Sequence, residues 1–306
     1  MTDNNNPAAG TLAQMRLDGT TKMFCVFGDP IAHTFSPRIH EILIRAHGGN
    51  MAYTAHHVKP EHIGDAIRGA WAMEIAGINL TIPHKEISMP YLCGIDSAAR
   101  KVGAVNTLKW TPDGYYGYNT DVYGMRQQLR TGGMFLEGQD VLLIGAGGAA
   151  RGALTVCQLE KAARVRIYNR HRERAEALLA HFLEAAAGEE IPEISVISYE
   201  EMLETEHPYV LQTTPAGMKN IADPLPVMDE SFYHGIKAAA DAVYRPKDTL
   251  FLQKVRQQGG LAVDGLPMLF YQGARSFEIW NDFTFDDAVR ERAKQEFLEW
   301  ADTYFA

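Results

Sequence analysis

Gly145-Ala146-Gly147-Gly148-Ala149-Ala150 carries the clearest chemistry in the chain. Three glycines crowd the end of an apolar run, where a tight turn must bring bare backbone N–H groups against an anion. A helix beginning there adds partial positive charge. Ala150 holds the sixth motif position, a change that a dinucleotide fingerprint tolerates. One crossover later stand Asn169, Arg170, His171, Arg172 and Arg174. An NAD site places Asp or Glu there to accept from the ribose 2′-hydroxyl, whereas asparagine backed by arginines suits a 2′-phosphate. The same arginines also read as solvated charges opening a helix, although a helix N-terminus is a poor place for unpaired cations. The expected cofactor is NADP.

Other polar residues with chemistry to offer sit at the ends of elements, each with a plainer reading beside it. Ser36 before Pro37 makes a helix N-cap, yet with Thr34 two residues away it is also a pair of hydroxyls able to grip a carboxylate. Asn79 and Thr81 share one face of a strand, and they face a cleft if Leu80 and Ile82 face the core. Lys85 opens a helix with Ile87, Met89 and Leu92, which Pro90 would shorten or kink, and a helix start is a poor place for a cation; it reads equally as a solvated lysine and as a catalytic one. Asp121 stands where a hairpin gives way to a helix, which it could simply cap. Gln272 lies among Leu269, Phe270 and Phe277, where a buried amide needs partners that a polyol could provide. No metal is expected: none of the eleven histidines forms H-E-x-x-H, and His56 and His57 point to opposite faces of a strand.

These residues need a scaffold, and the apolar patterning supplies two. Met23–Phe27, Tyr53–Val58, Ile75–Ile82, Gly103–Trp110 and Tyr115–Tyr118 read as strands, with helices at Ile39–Ala46, Glu61–Ala72 and Val122–Arg130. Gly132-Gly133 divides this half from the next. Val141–Ile144, Arg164–Tyr168, Ile194–Ile197, Tyr209–Gln212, Ala238–Val243 and Leu261–Asp264 then form a doubly wound sheet of about six strands. A helix from Gly265 to Trp280 follows, then a packing helix capped by Thr284 with Val289, Ala293, Phe297, Trp300 and Tyr304 on one face.

The totals fit this division. A chain of 306 residues exceeds what a single core comfortably serves. Its 46% hydrophobic and 22% charged residues are ordinary for a soluble α/β protein. The net charge of −9 excludes nucleic acid and acidic membranes as general partners, so an anionic small-molecule substrate must meet a local positive field. No stretch reaches the roughly 18 apolar residues of a membrane span. Cys25, Cys93 and Cys157, widely spaced, read as reduced core thiols of a cytoplasmic protein. Met1–Lys22, polar and without an apolar signal core, is expected to be a loose leader.

Together the motifs resemble the shikimate dehydrogenase family. Gly28-Asp-Pro-Ile-Ala-His-Thr-Phe-Ser-Pro37, Asn79-Leu-Thr-Ile-Pro-His-Lys85, Gly103-Ala-Val-Asn-Thr107, Asn119-Thr-Asp121, Gly145-Ala-Gly-Gly-Ala149, Asn169-Arg170 and Gly265-Leu-Pro-Met-Leu269 occur in the family's order between residues 23 and 281. The resemblance implies a Rossmann-like NADP-binding domain at 122–264 inside a discontinuous α/β substrate domain at 23–121 plus 265–306. It implies reversible NADPH-dependent reduction of 3-dehydroshikimate to shikimate in aromatic amino acid biosynthesis, by a monomer or homodimer.

Carried over by position, Lys85 and Asp121 would be the acid/base pair. Thr34, Ser36 and Tyr244 would bind the carboxylate, while Asn79, Thr81, Asn106, Asp121 and Gln272 would read ring hydroxyls. The cofactor would meet Gly145, Ala146, Gly147, Gly148, Ala149, Asn169, Arg170, Arg174, Thr214 and Gly265. Four positions depart from the family pattern. Thr34 replaces serine, which could shift preference between shikimate and the bulkier quinate; His171 replaces threonine near the 2′-phosphate, leaving NAD open as a cofactor; Gln212 and Glu41 each replace asparagine. A quinate/shikimate enzyme using NAD or NADP is one alternative. A non-catalytic dinucleotide-binding regulator is another, against which the retention of both Lys85 and Asp121 speaks.

Overall fold

A computed structural model of the chain describes residues 17–219 and 221–305. Most of the expected leader, residues 1–16, lies outside this range. The part inside it is not loose: Asn50 Nδ2 donates to Asp18 Oδ1 (3.1 Å) and Thr21 Oγ1 donates to Asn50 Oδ1 (3.0 Å), while Lys22 already belongs to the first strand.

The first half runs β1 (Lys22–Gly28), α1 (Ser36–His47), β2 (Met51–His57), α2 (Ile63–Ala72), β3 (Gly77–Leu80), α3 (His84–Ile87), β4 (Gly94–Ile95), α4 (Ser97–Val102), β5 (Thr107–Thr111) and β6 (Gly114–Tyr118). Its strands form a mixed sheet in the order β2-β1-β3-β5-β6-β4, antiparallel only where β5 meets β3 and β6. After α5 (Asp121–Thr131) comes the second half: β7 (Asp140–Ile144), α6 (Gly148–Leu159), β8 (Arg164–Tyr168), α7 (Arg172–Ala185), β9 (Glu193–Val196), α8 (Tyr199–Glu204), β10 (Tyr209–Gln212), β11 (Ala238–Asp241), α9 (Leu250–Gln257) and β12 (Leu261–Val263). These strands are all parallel, ordered β9-β8-β7-β10-β11-β12. The order reverses between β7 and β10, and the glycine loop leaves the sheet at that crevice. Val141, Leu142, Leu143 and Ile144 are all buried, as a strand covered on both faces requires. Finally α10 (Leu266–Asn281) and α11 (Asp287–Phe305) return to the first half.

Several local expectations are corrected. Ser36 does not cap α1: it is the first helical residue, and Thr34 Oγ1 accepts from the Ser36 N–H (3.2 Å). The helix begun at His84 stops at Ile87, because Pro90 has no N–H to bond back to Glu86. A 3₁₀ turn takes over at Met89–Tyr91, and Leu92 falls beyond it. Ile82 does not face the core but is 71% exposed, since regular pairing of β3 ends at Leu80 and alternation no longer assigns faces. The strand expected from Gly103 starts at Thr107: Gly103, at φ +70°, ends the unanticipated helix α4. Asp286, not Thr284, caps α11, accepting from the Ala288 N–H (2.9 Å). Cys25 and Cys157 are buried thiols, but Cys93 is exposed.

Two helices, α5 and α10, carry the chain between the halves, and they pack face to face. A Cβ at Gly124 would lie 2.7 Å from the Met268 carbonyl oxygen and 2.9 Å from Gln272 Cβ, so only glycine permits this approach. Four residues on, the buried Gln128 donates from Nε2 to the carbonyls of Asp241 (2.9 Å) and Asp264 (2.9 Å), fastening α5 to the ends of β11 and β12. Left unpaired, each such buried carbonyl costs about 1–3 kcal/mol.

Asp241 itself is fully buried, accepting from the Val243 N–H (2.9 Å) and the Thr249 hydroxyl (2.7 Å). Burial outweighs these bonds and pushes its carboxyl up from 3.8 to about 7. The folded state therefore holds the proton more tightly than the unfolded chain, so this group's contribution to stability falls as pH rises through that window. Asp241→Asn keeps an acceptor and cannot ionise. The difference in Tm between variant and wild type is expected to move in the variant's favour from pH 4 to 7; a constant difference would contradict the shift.

Candidate active site

Asp121 is the first residue of α5, but it does not cap the helix. Asn119 Oδ1 accepts from the Asp121 N–H (3.0 Å) and the Val122 N–H (3.4 Å), which leaves the aspartate side chain for other work. That carboxylate is only 7% exposed and would be costly without donors. Lys85 supplies one, Nζ to Oδ2 at 2.6 Å, and Asn106 Nδ2 supplies another to Oδ1 at 2.9 Å. Lys85 is therefore no solvated lysine; its own side chain is 22% exposed.

Behind the pair lies a buried polar cluster whose amide orientations are fixed by groups that can play only one part. Asn106 Oδ1 accepts from the Thr120 backbone N–H (2.8 Å), so Nδ2 must face Asp121. Asn79 Nδ2 faces the Asn106 carbonyl (3.2 Å), so its Oδ1 must accept from the Tyr53 hydroxyl (2.8 Å). Ser276, on α10, touches Asn79 Nδ2 (3.0 Å), Thr107 Oγ1 (2.7 Å) and Thr120 Oγ1 (3.2 Å). His40 stacks on Tyr53 with ring centres 4.0 Å apart, and burial lowers its imidazole to about 3, leaving it neutral.

The remaining residues expected to meet a substrate border this cluster to different degrees. Thr34 Oγ1 donates to Ser36 Oγ (3.1 Å) at the start of α1. Tyr244, in the loop after β11, sets its half-buried ring 5.6 Å from that of Phe35, and burial raises its phenol. Gln272 is half-buried, not buried, and its Nε2 donates back to the Leu269 carbonyl (2.8 Å). Thr81 lies one residue past β3; its N–H bonds the Phe27 carbonyl (3.0 Å) and, among the described residues, its hydroxyl takes no part in the cluster.

Directly beside the ion pair runs the start of α6. A Cβ at Gly148 would lie 3.9 Å from Lys85 Cδ, and one at Gly152 would lie 3.9 Å from Asp121 Cβ. Gly145 adopts φ +117°, where a Cβ would strike Thr213 Oγ1 at 2.4 Å, while a Cβ at Gly147 would meet only open space. No side chain caps α6, so the N–H groups of its first turn, beside Ala146 and Ala149, face that space. Gln212 shapes the neighbouring turn. Its Oε1 accepts from the Thr214 N–H (2.7 Å) and hydroxyl (2.8 Å), and Nε2 donates to the Thr214 carbonyl (3.0 Å). Gly265 sits against the carbonyls of Asp241, Ala242 and Val243, with a Cβ excluded at 3.0, 2.9 and 2.8 Å.

At the far end of this crevice Asn169 Nδ2 donates to the His171 carbonyl (2.8 Å). Arg170 and Arg174 are exposed, Arg170 meeting Asp223 at 3.3 Å. Arg172 pairs with Glu176 one turn on (2.8 Å), the ordinary surface arrangement. The donor set suits a dinucleotide: uncapped amides and an open floor at Gly147, and guanidiniums where an NAD site would carry a carboxylate.

The pattern of the sequence missed Tyr53, Thr107, Thr120 and Ser276. Single hydroxyls on apolar elements carry no local signal; the one clue was polar atoms at positions that periodicity assigned to the core.

Family models describe the same chain. The shikimate dehydrogenase substrate-binding domain matches residues 26–108, and the shikimate 5′-dehydrogenase C-terminal domain matches 265–293. A shikimate dehydrogenase (NADP(+)) of Desulforamulus reducens is 34% identical over 276 residues, covering 89% of this chain and 94% of that protein. Among solved structures, a chorismate mutase/shikimate 5-dehydrogenase fusion protein from Clostridium acetobutylicum superposes with TM-score 0.84 at 30% identity, covering 92% and 99% of the two chains. Shikimate 5-dehydrogenase from Thermus thermophilus, in complex with NADP(H) and shikimate, superposes with TM-score 0.77 at 31% identity, covering 90% and 99%.

Proposed function

The chain belongs to the shikimate dehydrogenase family, and we propose that the cluster around Lys85 and Asp121 is where it interconverts 3-dehydroshikimate and shikimate with NADP(H). One observation carries this reading. The Lys85–Asp121 pair lies against the first turns of the glycine-loop helix, so a dinucleotide held there would face it. We read residues 23–121 with 265–306 as the substrate half and 122–264 as the cofactor half.

When bound, NADPH supplies the hydride to C3 of the ketone. The protein's share is to manage the charge this places on the C3 oxygen. The Lys85 ammonium stabilises that charge and gives the oxygen a proton; in the oxidation direction the Lys85–Asp121 pair takes it back. Asn106 holds Asp121 in position meanwhile, and Asn79, Thr81 and Gln272 read the ring hydroxyls. At the other end Ser36 accepts the Thr34 proton, and its own hydroxyl, beside the Tyr53 phenol, would turn to donate to the substrate carboxylate. Tyr244, its phenol kept protonated by burial, is a second donor.

For the cofactor, the amides of Gly148 and Ala149 would hold the pyrophosphate, while Thr214 and Gly265 line the nicotinamide side. Asn169, Arg170 and Arg174 would hold the 2′-phosphate. The exposed Arg170–Asp223 pair is worth about 0–1 kcal/mol, so a bidentate phosphate contact readily replaces it. No helix among the described residues is long and apolar enough to cross a membrane. Three free cysteines suit a reducing compartment, which supports the reading of a cytoplasmic enzyme.

The test is a grid of initial rates with shikimate and quinate against NADP and NAD. The highest kcat/KM is expected for shikimate with NADP. The methyl group of Thr34 bears on the choice between shikimate and quinate, and a grid led by quinate would overturn the assignment.

Lys85→Ala is expected to lower kcat about 10²–10⁴-fold with a much smaller change in KM, since the charge is needed chiefly in the transition state. Lys85→Arg should not rescue it, because a guanidinium does not readily give up a proton. Near-normal kcat in folded Lys85→Ala would leave Asp121 alone in the role.

Arg170→Ala should weaken NADP binding by about 1.5–3 kcal/mol and leave NAD nearly untouched. Calorimetric titration with each cofactor measures both; equal losses would assign Arg170 to the shared part of the dinucleotide.

A further inference from the structure

We propose that Ser276 is a positioning residue for the reaction: through Thr107 and Asn106 it holds the Asp121 carboxylate in place and keeps α10 in step with it. The proposal rests on the reading of Lys85 and Asp121 as the reacting pair.

Ser276 is fully buried, so it does not touch substrate. A helical serine most often bonds the carbonyl four residues back, and Ser276 Oγ does donate to the Gln272 carbonyl (2.9 Å). Its other three contacts lead outward to β3, to β5 and to the residue before α5: Asn79 Nδ2 at 3.0 Å, Thr107 Oγ1 at 2.7 Å and Thr120 Oγ1 at 3.2 Å. Four segments of the chain thus meet at one oxygen.

Proton accounting shows what that oxygen does. The hydroxyl has one proton, already given to Gln272, and two lone pairs. The two shortest donors fill them, Thr107 and Asn79. Drawing the Thr107 proton to Ser276 keeps it from Asn106 Oδ1, 3.0 Å away. Asn106 Oδ1 is then left to the Thr120 N–H (2.8 Å) and hydroxyl (3.2 Å), which fill its two lone pairs and hold the amide with Nδ2 on Asp121. Without the serine oxygen, the Thr107 proton turns to Asn106 Oδ1 as a third donor and displaces the Thr120 hydroxyl there. Asn79 loses an acceptor at the same time. The hold on Asp121 loosens by a rotation of one amide, with no group of the reacting pair removed.

Ser276→Ala is expected to lower kcat about tenfold, since a misplaced reacting group costs up to about 10². KM for shikimate and for NADP should change by less than about threefold. The primary deuterium isotope effect on kcat, measured with shikimate deuterated at C3, should rise as chemistry becomes more rate-limiting. If Ser276 acts through Asn106, the double variant Ser276→Ala/Asn106→Ala is no slower than Asn106→Ala alone. Thr107→Val removes the competing proton at constant shape, so it should cost less kcat than Ser276→Ala and, added to Ser276→Ala, should restore part of the loss. Alone it serves should Ser276→Ala fold poorly, since a kcat loss as large as about tenfold in Thr107→Val would overturn the proposal.

Lowered Tm with kcat and isotope effect unchanged would overturn the proposal, making Ser276 a packing serine. So would losses that multiply in the double variant. Wild-type enzyme inactive on shikimate would overturn the site reading, and this proposal with it; active wild type with unaltered variants would overturn this proposal alone.

Discussion

The contact of α5 with α10 at Gly124 is the constraint on which the rest of the structure depends. These two helices are the passages between the sheets, and each carries site residues at a fixed distance along its axis. Asp121 begins α5, one turn before Gly124; Gln272 and Ser276 lie on the facing stretch of α10. A side chain at 124 would have to push α10 away by its own thickness, and the aspartate would part from the hydroxyls that surround it. Gln128 secures the same helix at its other end, because one amide group reaches two carbonyls at the ends of neighbouring strands.

With the helices fixed, a buried polar cluster becomes tolerable in a chain that is otherwise ordinary in its core. Asn79, Asn106, Thr107, Thr120 and Ser276 are nearly inaccessible, and each has its donors and acceptors matched within the cluster. A partly matched network would cost more than an apolar filling, so its completeness is what permits a carboxylate to sit at its edge. Lys85 then neutralises that carboxylate at 2.6 Å from a short helix whose early end, set by Pro90, leaves the lysine at the rim.

Electrostatics divides the crevice into regions. The uncapped start of α6 and the exposed arginines supply positive potential where phosphates would lie, within a chain of net charge −9. At the opposite end, Phe35 packs against Tyr244, Trp300 and Tyr304, and Arg245 stands 5.9 Å from the Phe35 ring and 5.1 Å from that of Tyr304. This aromatic group joins α1, the loop after β11 and α11, and so holds Tyr244 near Thr34 and Ser36 although they belong to different sheets.

The sequence by itself determined what short-range physics controls. Apolar runs of strand length placed the six parallel strands of the second sheet to within a residue or two. Gly145, Gly147 and Gly148 marked the crevice loop, and at Gly145 the backbone itself requires glycine, with φ +117° and a Cβ excluded by Thr213 Oγ1. Motif order further brought Lys85, Asp121, Asn79 and Asn106 under suspicion together. Only the tertiary structure decided which polar group serves which. Ser36 and Thr284 carried a capping signature, yet Ser36 is the first helical residue of α1 and Asp286 caps α11, because where a helix begins depends on how the chain before it is held. Ile82 kept its alternation in sequence but lies past the end of β3, where alternation no longer assigns a face. Ser276 had no signature at all: a lone hydroxyl acquires its meaning from residues 79, 107 and 120, which meet it only after both sheets and the helices between them have packed.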